Sequence, residues 1–93
     1  MLPHLTFVVV YLYTMNQIII DVRTPEEWAT GHADTTRLIP LDVLEQHISS
    51  LQGYEKIKIV CRSGARAEHA AGILRMHGFQ QVENLGPWQN ALA

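Results

Sequence analysis

Apolar residues fall in short runs divided by polar, glycine- and proline-containing segments. Ile18–Ile19–Ile20–Asp21–Val22 is a nearly continuous apolar stretch, the pattern of a strand buried on both faces of a parallel sheet. Thr24–Pro25–Glu26–Glu27 then reads as a helix start. Thr24 suits the N-cap, Pro25 the first turn, and Glu27 the return half of a capping box. Gly31 keeps that helix short. Leu38 to Leu41, with Pro40 inside it, reads as a brief strand or strand-like bend. Asp42 and Glu45 suit a second capped helix start, and Leu41, Leu44, Ile48 and Leu51 give it one apolar face up to Gln52–Gly53. Lys56 to Val60 alternates and then runs apolar into Cys61, as a strand does. Gly64 to His77 carries the clearest helical pattern, with Ala67, Ala70, Ala71 and Leu74 on one face and Gly78 placed as a C-cap. Phe79 to Leu85 forms a last short strand, Gly86–Pro87 a turn, and Trp88 to Ala91 a final turn of helix.

Strand and helix thus alternate, which predicts an α/β fold: a small parallel β-sheet flanked by helices on both faces. Residues 17–93 make one domain, and residues 1–16 an apolar N-terminal extension or edge strand. Sites in such sheets lie beyond the carboxyl ends of the strands, which selects the turns after Val22 and after Val60. The run from Leu5 to Tyr13 is too short to span a bilayer as a helix, so no stable membrane insertion is expected. Its β-branched and aromatic residues favour a strand. A signal-like segment and a loosely packed extension are the alternatives, although no Lys or Arg precedes Arg23 and no small-x-small cleavage pattern follows. A cytoplasmic and a periplasmic location both stay open.

The 93 residues suffice for one small domain, and 47% of them are hydrophobic. Seven basic and nine acidic residues give a net charge of -2 with no basic stripe, so no nucleic-acid partner is expected. The single cysteine excludes an internal disulfide and a cysteine-rich zinc site.

That cysteine ends a buried strand just before a helix, in Val60–Cys61–Arg62–Ser63–Gly64–Ala65–Arg66. A lone cysteine is usually a small buried hydrophobe, but that does not explain a short polar loop with a glycine and two arginines. If the loop curls around the sulfur, the N–H groups from Arg62 to Arg66 point inward, aided by the positive end of the helix. Gly64 permits the curl. Arg62 and Arg66 add positive charge, which favours the thiolate nucleophile and an anionic substrate beside it.

At this point the chain resembles the rhodanese homology domain. The active-site loop of that family has six residues beginning with a nucleophilic cysteine, and Cys61–Arg66, CRSGAR, matches it. Asp21–Val22–Arg23, continuing through Thr24–Pro25–Glu26–Glu27–Trp28, matches the family's DVR–x–P–x–E–[YFW] segment. Gly31–His32 and Ile39–Pro40 match its GH…IP segment. The resemblance covers about residues 17 to 90, is specific when the motifs are taken together, and is nearest to small stand-alone bacterial members.

The resemblance implies a sulfurtransferase with Cys61 as the catalytic nucleophile. Arg62, Ser63, Gly64, Ala65 and Arg66 would bind the substrate. Cys61 takes the outer sulfur of a small anionic donor such as thiosulfate, sulfite leaves, and a thiol or cyanide acceptor then removes the sulfur from the persulfide. Mercaptopyruvate-using relatives carry CG[ST]GVT loops instead, and phosphatase relatives carry one more loop residue. The resemblance also implies that no metal and no organic cofactor are needed. A non-enzymatic persulfide carrier or regulatory module is the alternative function.

Three departures from the family pattern stand out. Only the Leu5–Tyr13 run precedes the DVR segment, where many members have a full strand and helix. An unpaired apolar edge there would favour a homodimer, which a monomeric mass in dilute solution would exclude. Asp34–Thr35–Thr36 replaces Pro-Gly-Ala, and Gly86–Pro87 replaces Gly-Gly. Asp21 and Arg23 read as an internal ion pair, His32 as a turn-ordering residue, and Trp28 and Trp88 as packing residues. His69 and His77 are expected to be solvated or half-buried on the long helix.

Overall fold

The computed structural model describes residues 16–93. The Leu5–Tyr13 run, and with it the edge-strand and homodimer expectations, lies outside the described residues. Strand β1 (Gln17–Asp21) is followed by helix α1 (Pro25–Ala29), strand β2 (Arg37–Leu38), a 3₁₀ helix (Leu41–His47) and helix α2 (Ile48–Leu51). Strand β3 (Lys56–Cys61), helix α3 (Ala65–Met76), strand β4 (Val82–Pro87) and a second 3₁₀ helix (Trp88–Ala91) complete the order. The strands pair in parallel as β2-β1-β3-β4. From β1 the chain runs outward to β2 and then returns to β3 on the other side of β1. The β1/β3 junction is therefore a switch point, where the carboxyl ends open a crevice.

Alternation along the strands divides the core. Ile20, Val22, Ile57, Ile59 and Cys61 face Leu44, Leu51 and the Ala67, Ala70, Ala71 and Leu74 stripe of α3. Val60 faces the other way, with Ala33 and Ala91, and Ile19, Leu85 and Trp88 pack around them. The α/β architecture with a parallel sheet is as the pattern predicts. Small alanines let α3 approach the sheet closely, which brings the first turn of this helix to the end of β3. No helix among the described residues is long and apolar enough to cross a membrane.

Two local expectations are corrected. The capped helix expected at Asp42 is a 3₁₀ helix with Pro40 at its N-cap and no side-chain cap bond, and it becomes α-helical only at Ile48. Gly86–Pro87 is not a turn. Gly86 pairs with Val60 and Pro87 with Cys61, after a register shift that leaves Leu85 out of the ladder. Gly86 takes φ +81° at this bulge, where glycine is the residue at ease. β4 forms the sheet edge among the described residues, so the missing N–H of Pro87 breaks no ladder bond there.

Candidate active site

β1 and β3 deliver the two motif segments side by side. Asp21 pairs with Val60 in register, and the Val22 amide donates to the Val60 carbonyl at 3.1 Å. Beyond Val60, Cys61 is 1% exposed. Its Sγ accepts the Gly64 amide at 2.9 Å and the Ala67 amide at 3.4 Å. Gly64 is the N-cap of α3 with φ +109°, a left-handed conformation that disfavours side chains. That turn folds the loop back so that Gly64 and the first turn of α3 aim N–H groups at the sulfur. The helix N-terminus and the converging N–H groups give this sulfur surroundings that suit an anion.

The loop residues named in the sequence differ in their surroundings. Arg62, Ser63 and Ala65 are exposed, while Gly64 and Arg66 are half-buried. Arg66 forms a two-pronged ion pair with Glu27, Nη1 to Oε1 at 2.7 Å and Nη2 to Oε2 at 2.8 Å. Glu27 also completes the capping box of α1, accepting the Thr24 amide at 3.0 Å while its own amide donates to Thr24 Oγ1 at 3.2 Å. The Arg66 hydrogen bonds, followed by the Thr24 amide, hold the Glu27 carboxyl at about 2, well below its ordinary 4.5. The same pairing raises Arg66 above its ordinary value. Arg62 makes no ion pair or side-chain hydrogen bond among the described residues.

A second ion pair, Asp21 with Arg23, is buried. Asp21 is fully buried and accepts the Arg23 amide at 3.0 Å, Nε at 3.0 Å and Nη2 at 2.8 Å. Arg23 also donates to the carbonyls of Gly31 (2.8 Å) and Glu27 (3.3 Å), and its guanidinium lies 4.9 Å from the centroid of the Trp88 ring. These contacts fix the turn after β1 as an internal brace, the role the sequence suggests. Trp28 stacks on His32 at 3.7 Å, and His32 Nδ1 bonds the Trp28 carbonyl at 2.8 Å, so both order the GH turn. The departure at Asp34–Thr35–Thr36 still closes a turn, because the Thr36 amide and hydroxyl both donate to Ala33 O. His69 is exposed on α3, and His77 lies 3.5 Å from Glu45.

One site residue went unread in the sequence, and the role of another was read only in part. Asn84 donates to Gly64 O at 3.0 Å and accepts the Gly86 amide at 2.8 Å, tying the Cys61 loop to the β4 bulge. A lone asparagine in a strand carries no spacing signal. The grip of Glu27 on Arg66 spans 39 positions, beyond the local capping role and motif place read from the sequence.

A family model for the rhodanese-like domain matches residues 10–86. A candidate sulfur carrier protein of Bacillus subtilis, YrkF, is 38% identical over 69 residues, 74% of this chain and 37% of that protein. A sulfurtransferase of Allochromatium vinosum is 32% identical over 72 residues, 77% of this chain and 67% of that protein. The chain thus spans little more than a third of the first relative and two thirds of the second. The structure of a rhodanese with anions from E. coli superposes with a TM-score of 0.74 at 29% identity, covering 83% of this chain and 94% of that one. The match runs through both strands that carry the site, and the chain belongs to the rhodanese-like domain family.

Proposed function

We propose that the protein is a thiosulfate sulfurtransferase that works through a persulfide on Cys61. The carrying observation is the Cys61 sulfur at the end of β3, receiving the Gly64 and Ala67 amides. The Cys61 thiolate attacks the outer sulfur of thiosulfate. A new S–S bond forms, the S–S bond of thiosulfate breaks, and its electron pair leaves with sulfite. The negative charge then rests on the outer sulfur of the persulfide, while Sγ keeps the Gly64 and Ala67 amides. An acceptor nucleophile, cyanide or a thiolate, attacks the outer sulfur, the Cys61 S–S bond breaks, and its electron pair returns to Sγ as the thiolate. Both half-reactions use an anionic nucleophile, so no general base is required. The five-position spacing from Cys61 to Arg66 is the shorter family form, which favours sulfur over the larger phosphoryl group.

The likeness to a candidate sulfur carrier favours a second reading, in which Cys61 stores sulfur for a partner without fast turnover. One experiment separates the two: thiocyanate formation from thiosulfate and cyanide, compared with Cys61→Ser, followed by intact mass after thiosulfate alone. Turnover lost in the variant is the expected result. A gain of one sulfur atom without turnover would favour the carrier. Neither turnover nor sulfur gain would refute both.

A further inference from the structure

The loop has two arginines, but they are not electrostatically equivalent. Arg66 is matched by Glu27 at 2.7 and 2.8 Å, and Arg23 by Asp21 at 2.8 Å. Arg62 is exposed and makes no ion pair among the described residues. It lines a recess of about 320 Å³ with Arg23, Glu27, Thr30, Trp88 and Gln89. Glu27 therefore stands on the wall of the same recess as Arg62. Any anion entering there meets the cation of Arg62 and the carboxylate of Glu27 together.

We propose that Glu27 is a specificity-determining residue. By holding Arg66 and facing the Arg62 recess, it lowers the positive charge offered to the donor and sets how strongly the site prefers a dianion over a monoanion. This rests on the sulfur-transfer reading above. Arg62 and the loop amides carry donor recognition, while Arg66 braces α1 against α3. The Coulomb energy of a donor in this field scales with its own charge. Thiosulfate (2-) is therefore penalised by Glu27 about twice as much, in free energy, as a monoanionic thiosulfonate. Both donors react alike at Cys61: the outer sulfur is transferred and the S–S bond breaks. The electron pair leaves with sulfite in one case and with a sulfinate in the other.

The test compares thiosulfate with methanethiosulfonate as donors and cyanide as acceptor. In a ping-pong scheme, donor kcat/KM reports the donor half-reaction alone. Glu27→Gln keeps the capping box, since glutamine serves at that position, and removes the charge. It is expected to raise kcat/KM about 10-fold for thiosulfate and about 3-fold for methanethiosulfonate, so their ratio rises about 3-fold. Arg62→Gln is expected to move the ratio about 3-fold the other way. Glu27→Asp, which keeps the charge, should stay near the wild-type ratio. A merely structural role would change both donors equally. An unchanged ratio in Glu27→Gln or Arg62→Gln, or a Glu27→Asp ratio that follows Glu27→Gln, would overturn the proposal and leave the sulfur-transfer reading standing. A wild type that gains no sulfur from either donor would remove both.

Discussion

Replacing Asp21 with asparagine strands the Arg23 charge inside the protein. Asp21 is 0% exposed and Arg23 3%, so water cannot take the carboxylate's place. Asparagine can still accept the Arg23 amide, but it turns an N–H₂ or a neutral carbonyl toward a guanidinium that now has two oxygens at 2.8 and 3.0 Å. Removing one partner of a buried pair costs about 3–5 kcal/mol. The total stability of an ordinary domain is about 5–15 kcal/mol. At about 4–8 °C per kcal/mol for a domain of this size, the melting temperature should fall by roughly 12–40 °C. The assay is thermal and urea unfolding followed by circular dichroism, for Asp21→Asn, Arg23→Met and the double variant. The double variant removes both charges, so it should lose at least about 1 kcal/mol less than the sum of the singles. A loss below about 1 kcal/mol in Asp21→Asn, or strict additivity, would refute the buried-pair reasoning.

Two further outcomes follow from the same contacts. The folded-state value of Glu27 is depressed, so its pairing stabilises the protein fully above about 4.5 and loses that contribution as pH falls toward about 2. The stability gap between wild type and Glu27→Gln should therefore shrink over that window in unfolding curves at stepped pH; a gap that is constant, or that grows as pH falls, would contradict the assignment. Gly64→Ala must hold φ +109° with a Cβ placed 3.5 Å from the Gly86 Cα. It should cost about 1–2 kcal/mol in unfolding free energy, and a variant as stable as the wild type would show that the left-handed turn imposes no strain on a side chain.

Much of this fold was legible because burial and periodicity agree. The isoleucine run became β1, the run into Cys61 became β3, and the alanine stripe became the buried face of α3. The box of Thr24 and Glu27 capped α1 with both of its reciprocal bonds. The 3₁₀ helix was less legible because spacings of three and four residues serve both helix types. There, Pro40 takes the N-cap position, and Asp42 falls within the first turn, where its carboxylate makes no cap. Gly86–Pro87 reads as a turn by composition, yet a sheet edge and a bulge can hold the same dipeptide. Within the site, the cysteine and its loop were visible as a local motif. The pairing of Arg66 was not, because it depends on the Glu27 carboxylate, which is brought in by the helix that follows β1.

The two glycines that sequence reading treats separately form one structural unit. Gly64 must be left-handed to return its amide to the sulfur, and a Cβ added there would stand 3.5 Å from the Gly86 Cα. Gly86 must take φ +81° so that the bulged β4 resumes its pairing at Val60, and its amide donates to Asn84 Oδ1. The other end of the Asn84 amide closes on Gly64 O. The strand edge thus holds the Cys61 loop through the Asn84 side chain. It is the first glycine of the family's Gly-Gly pair that meets Gly64. This explains why proline is tolerated at position 87, whose side chain is exposed. The same proline at position 86 would lose the amide that Asn84 requires and could not adopt a positive φ.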